Sequence, residues 1–296
     1  MAAAMTVEEM GLELSRTGDE TTDVNRLFSK QSLLFLMISF RLSIMFALVS
    51  RFAKYIPLKK GWGGTEDERL IIKRIAGILT LILLLFVILR IVFGDNQATL
   101  MFFHYLKFDL TVLLQIFTAL AINSVLFVGN LYYYFNVTSL LTKMQEEYTE
   151  SKLKWFKTYL IAPILEESVY CGMLFASYDQ LGLRGNLNFL LSSSICFGLS
   201  HIHMKWEDIK LIFKVPNLTI FQKIRQSVAC CVGVVVQTTI FSLYAKVVFL
   251  KFKNVWPCVF LHGYCNMLGG PKTGFKNDKY FHLSGIVLSV TLLYLI

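Results

Sequence analysis

Long apolar blocks set apart by short charged stretches do most to limit what this chain can fold into. The blocks lie at about 33–50, 75–93, 110–135, 158–178, 188–204, 227–250, 256–269 and 283–296. Within Ile78–Phe93 the only charge is Arg90. Several blocks exceed the ~17 residues a helix needs to cross a bilayer. A soluble core helix would show a polar face at every turn, and a membrane barrel would alternate with period two. Neither pattern is present. Hydrophobic residues make up 55% and charged residues 17% of the chain, against roughly 45–50% and 25% in soluble domains. The expected fold is all-α: a polytopic helical membrane protein with about eight membrane helices around a cytosol-facing cavity. The two short blocks at the C-terminal end are expected to be tilted, re-entrant or shielded by neighbours.

The first 30 residues are polar and acidic, and residues 1–30 read as a disordered tail. Residues 31–296 read as a single membrane-embedded domain, without internal repeats. The formal net charge is +9. Its basic residues sit mainly in loops between apolar blocks, where orientation in the membrane and anionic lipid account for them, so no nucleic acid is expected. Loops 51–74, 136–157, 205–226 and 270–281 hold 19 Lys and Arg, and the tail with the alternate loops holds 7. That bias places the first set in the cytosol. The sequons at Asn136 and Asn217 fall in this set and are expected to stay unmodified. The six cysteines form no C-x-x-C pair, which argues against a disulfide framework or a zinc knuckle.

Polar groups at membrane depth are costly and mark function by default. Glu166 and Glu167 follow Ala162-Pro163 in an apolar helix. Adjacent helical residues point ~100° apart, so one carboxylate can face a cavity while the other takes a structural partner; a pair of structural acids is the alternative. His201 and His203, two apart, lie on nearly opposite helix faces and cannot easily share a metal. His262 and Asn266 share one face at i, i+4. Two donors there suit an oxyanion or a helix–helix hydrogen bond. On the assigned topology all these groups lie in the cytosolic half of their segments, as a cavity open to the cytosol would require.

Ala162-Pro163-Ile164-Leu165-Glu166-Glu167-Ser168-Val169-Tyr170, Phe197-Gly198-Leu199-Ser200-His201 and His262-Gly263-Tyr264-Cys265-Asn266 occur in that order. Together they resemble the three motifs of the CAAX prenyl endopeptidases of the Ras-converting type, within the CAAX protease and bacteriocin-processing family. Glu66–Arg74 also looks like that family's cytosolic loop before its second helix, so the resemblance runs from about residue 60 to 271. It departs at Cys171, where the family's Glu-Glu-x-x-x-Arg motif has its Arg; Glu167 then needs another partner or a proton.

The resemblance implies a membrane-embedded peptidase domain that removes the last three residues of farnesylated or geranylgeranylated CAAX proteins such as Ras-like GTPases. It implies an endoplasmic reticulum membrane, with the site facing the cytosol. The catalytic set it implies is Glu166, His201, His262 and Asn266, with Glu167 in support. Glu166 and His201 would activate a water, and His262 and Asn266 would hold the oxyanion. No cofactor is expected. The rivals are a zinc peptidase with Glu166, His201 and His262 as ligands, a thiol peptidase using Cys265, and a non-catalytic scaffold or transporter with a degenerate site.

Overall fold

The computed structural model describes residues 66–93, 97–180, 187–270 and 272, with a few isolated positions towards either end. The tail 1–30 lies outside the described residues, as do most of segment 33–50 and half of segment 283–296. Every described element is a helix, as expected for an all-α membrane protein: α1 (Glu66–Phe93), α2 (Gln97–Tyr105), α3 (Leu110–Leu126), α4 (Val128–Asn136) and α5 (Leu140–Glu150). A central run follows in five pieces, Lys152–Phe156, Lys157–Ile161, Ala162–Glu167, Ser168–Met173 and Leu174–Gln180. Then come α6 (Leu187–Ser200) with the tight turn His201–Lys205, α7 (Trp206–Lys214), α8 (Ile220–Phe252) and α9 (Val255–Leu268).

Burial sorts these helices into lipid-facing and central ones. In the most apolar stretch of the central run 72% of residues are buried against protein, against 22% in α1 and 11% in α8. On α8 the exposed side chains Val228, Val232, Val236 and Ile240 recur every fourth residue and form one lipid-facing stripe. On α1 the buried Ile71, Ile78, Leu81 and Leu85 mark the opposite, inward face. Rings close the core: Phe175 and Tyr105 both pack on Phe249, and the Tyr105 hydroxyl donates to Asp179.

Three described helices are long and apolar enough to cross a membrane, and a fourth crossing results if α2 and α3, bent by 68°, form one broken span. The count of eight crossings is therefore not reproduced within these residues. Helices α6 and α9 have 14 residues each, about 21 Å at 1.5 Å per residue, short of the ~30 Å hydrocarbon core. The loop expected at 94–107 contains α2. The loop expected through Arg74 gives way at Glu66 to the first turns of α1, because Ile71 already contributes to the buried stripe. Segment 110–135 breaks at Phe127, whose φ of −98° and ψ of 24° end α3 before α4 begins.

Two features position the central residues. Pieces Lys157–Ile161 and Ser168–Met173 are wound as π-helix on either side of Glu166 and Glu167. The Ala162 N–H donates to the Lys157 carbonyl, five residues back. The next N–H in that register would serve Thr158, but residue 163 is proline and has none. The side chain of Asn266 donates to the Thr158 carbonyl instead, at 2.9 Å. The adjacent Tyr159 carbonyl lies so close to α9 that a Cβ on Gly263 would stand 2.5 Å from its oxygen. Proline in one helix, with glycine and asparagine in the other, thus fixes how the two meet.

The ends of α9 are pinned as well. Its N-cap Asn254 accepts from the Trp256 N–H at 2.9 Å and donates to the Lys107 carbonyl at 2.8 Å, and the Trp256 indole donates to the Leu106 carbonyl. At the other end the buried Asn130 amide donates to the carbonyls of Leu268, Gly269 and Gly270, joined by the Tyr134 hydroxyl on Leu268 and the Lys143 ammonium on Met267. These partners satisfy carbonyls that a helix C-terminus leaves open.

Candidate active site

Glu166 and Glu167 leave the central run in different directions, as their adjacency requires. Glu167 is 2% exposed. Its Oε1 accepts from His262 Nδ1 at 2.8 Å, and its Oε2 accepts from the Cys171 thiol at 3.1 Å. Its partners are an imidazole and a thiol, where the motif this segment resembles would set an arginine at position 171. Glu166 faces the histidines. Its Oε2 lies 3.6 Å from His201 Nε2 and 3.9 Å from His262 Nε2. Both separations are too long for hydrogen bonds, and this oxygen, although buried, has no hydrogen-bond partner among the described residues.

Both imidazoles are held by their other nitrogen. His201 begins the tight turn after α6, where its Nδ1 donates to the Phe197 carbonyl at 2.8 Å. His262 Nδ1 is held by Glu167. Each ring therefore keeps a proton on Nδ1 and turns Nε2 towards Glu166. Phe197 packs on the His201 ring at 4.4 Å between centroids, and Phe241 on the His262 ring at 4.6 Å. Each phenyl ring thus covers part of one imidazole. Gly198 permits the arrangement, since a Cβ there would meet the Thr239 hydroxyl and the Val235 carbonyl of α8. Lys157 lies within Coulombic reach of Glu166.

The structure thus brings Glu166, Glu167, His201 and His262 together from three parts of the chain. Asn266 lies one turn beyond His262 and has one amide N–H committed to Thr158. His203 stays apart: its Nδ1 donates to the Ser200 carbonyl at 2.5 Å. Cys265 turns to Asn123, whose Nδ2 is 3.4 Å from its sulfur, so its described partner is an amide rather than an imidazole. No group of three or more His, Cys, Asp or Glu side chains has the geometry to hold a metal ion among the described residues. Asn123, Asn130 and Lys246, all fully buried, are not among the residues the motifs single out. Their signal was present, since each is a strongly polar residue inside an apolar block.

Residues 149–268 match the protein family described as Type II CAAX prenyl endopeptidase Rce1-like. A 150-residue stretch, 48% of the chain, is 30% identical to CAAX prenyl protease 2 of Saccharomyces cerevisiae and covers 43% of that protein. A 147-residue stretch, 47% of the chain, is 25% identical to the probable CAAX prenyl protease 2 of Schizosaccharomyces pombe and covers 50% of it. The chain thus spans about half the length of the curated relatives it matches. No solved structure matches it. The resemblance read from the three motifs is borne out over residues 149–268, and that segment, similar to the Rce1-like CAAX prenyl endopeptidases, carries Glu166, Glu167, His201, His262 and Asn266 together.

Proposed function

We propose that this protein is a membrane endopeptidase that removes the C-terminal tripeptide from prenylated CAAX proteins, using a water activated by Glu166. One observation carries the reading: a buried carboxylate oxygen without a hydrogen-bond partner among the described residues faces two imidazole Nε2 atoms at 3.6 and 3.9 Å. A water bound to Glu166 Oε2 would lie within hydrogen-bond reach of both rings. Glu166 takes a proton from this water as its oxygen bonds to the scissile carbonyl carbon. As the C–N bond breaks, the proton passes through Glu166 or His201 to the leaving amine. His262, with Glu167 supporting positive charge at Nδ1, donates from Nε2 to the oxyanion, and Asn266 donates its uncommitted N–H. No covalent intermediate is required.

The proposed substrates carry a farnesyl or geranylgeranyl group on the cysteine before the tripeptide, as Ras-like GTPases do. The proposed setting is the endoplasmic reticulum membrane, with the site open to the cytosol as the loop charges suggest. The test is tripeptide release from a farnesylated peptide by the purified protein in lipid nanodiscs. Wild type is expected to cleave, while Glu166→Gln, His201→Ala and His262→Ala, each folded, lose at least ~10² in kcat. Near-normal turnover by any of them would remove that residue from the mechanism. Inhibition by a chelator with recovery on added zinc would replace the water mechanism with a metal one.

A further inference from the structure

Lys246 is fully buried near the C-terminal end of α8, a membrane-crossing helix. An ammonium at that depth is costly unless it is compensated, and such residues mark function. Its one hydrogen-bond partner among the described residues is the Ser242 hydroxyl, at 2.5 Å. A hydroxyl carries no charge, so it cannot balance the ammonium.

The neighbours supply the balance. The Ala245 carbonyl, adjacent to Lys246, accepts from the Cys258 thiol at 3.3 Å. Cys258 and Ala245 share one buried cluster with Cys171, and Cys171 donates to Glu167 Oε2 at 3.1 Å. Cys171, Glu167, Cys196 and Cys258 are among the groups whose charge Lys246 would feel. Glu167 is the one carboxylate in that set; the others are thiols. It is as deeply buried as Lys246, and its own hydrogen-bond partners are an imidazole and a thiol.

We propose that Lys246 is the buried counter-charge of Glu167: a cation on α8 that balances, across the buried cluster holding Cys171 and Cys258, the carboxylate that orients His262. Position 171 lies one turn beyond Glu167 and holds a thiol 3.1 Å from its carboxylate. A cation placed at 171 would do the same work from within the central run. Lys246 does it from the neighbouring helix, and so acts as a positioning residue without touching substrate.

The test is a thermal-stability cycle in nanodiscs with Lys246→Met, Glu167→Gln and the double variant. Removing one member of a buried ion pair leaves the other uncompensated, so Lys246→Met should lower the melting temperature by roughly 10 °C. Adding Glu167→Gln should bring it back to within ~2 °C of Glu167→Gln alone. Losses that simply add would overturn the proposal. If Lys246→Met does not fold, the double variant still decides: folding supports the pair, and failure beside a folded Glu167→Gln overturns it.

A second arm reads turnover and rests on the proposed function. Lys246→Met should lower kcat per folded molecule with little change in KM, and adding Cys171→Arg should restore it. A kcat unchanged in Lys246→Met would sink the positioning role. If wild type cleaves no prenylated peptide, the proposed function fails while the stability cycle still decides the pairing.

Discussion

Replacing Asn266 by alanine separates the bond this side chain makes to Thr158 from the oxyanion role proposed for it. One amide N–H is spent on the Thr158 carbonyl, at 2.9 Å, which Pro163 leaves without its main-chain donor. That bond fixes the amide plane and leaves the second N–H for an oxyanion. Loss of the first bond leaves a half-buried carbonyl unserved, worth about 1–3 kcal/mol, or a fall in melting temperature of roughly 2–10 °C. Loss of the second should cost ~10²–10³ in kcat and change KM little, because the charge develops only in the transition state. Asn266→Asp should be worse on both counts, since it sets an acceptor against the Thr158 carbonyl and a negative charge against the oxyanion. The assay measures kcat per folded molecule and melting temperature on the same nanodisc samples. A destabilised protein with unchanged kcat per folded molecule would refute the oxyanion role. A slowed protein of unchanged stability would refute the anchoring of Thr158.

Gly263→Ala places a Cβ 2.5 Å from the Tyr159 carbonyl oxygen; α9 must give way, His262 moves with it, and a displacement of about 1 Å should cost on the order of 10² in kcat. A near-normal kcat would show that the helices separate without moving the imidazole. Cys265→Ala should retain turnover within about threefold, because its sulfur faces Asn123 and neutral hydrogen bonds of this kind are weak; loss of turnover in folded protein would return the thiol mechanism. Expressed in eukaryotic microsomes, Asn136 and Asn217 should stay unglycosylated, and an endoglycosidase-sensitive mass shift at either would invert the orientation drawn from the loop charges.

Much of the architecture is written locally. Apolar length alone announces membrane helices, because in hydrocarbon every main-chain polar group must find its partner within the segment. The costliest residues at depth, Glu166, Glu167, His201 and His262, stand out for the same reason, and the structure gathers them at one place. Helical geometry also foretold that adjacent carboxylates would part company, and Glu166 and Glu167 do so. What depends on contacts between helices was not legible. The pairing of Glu167 with His262 spans 95 residues, and no local periodicity encodes which nitrogen meets which oxygen. Helix α2 lies where the sequence predicts a loop, because nine residues are too few to show a sustained pattern. The donor that Pro163 lacks is visible in the sequence, but that Asn266 supplies it is decided only when α9 docks, pinned at one end by Asn254 and at the other by Asn130. Lys246 is a lone charge in an apolar block until packing buries it fully, with the Ser242 hydroxyl as its hydrogen-bond partner among the described residues. Sequence fixes the cost of burying such a group, and tertiary structure decides which partner offsets it, because compensation between buried charges depends on distances that only the packed helices define.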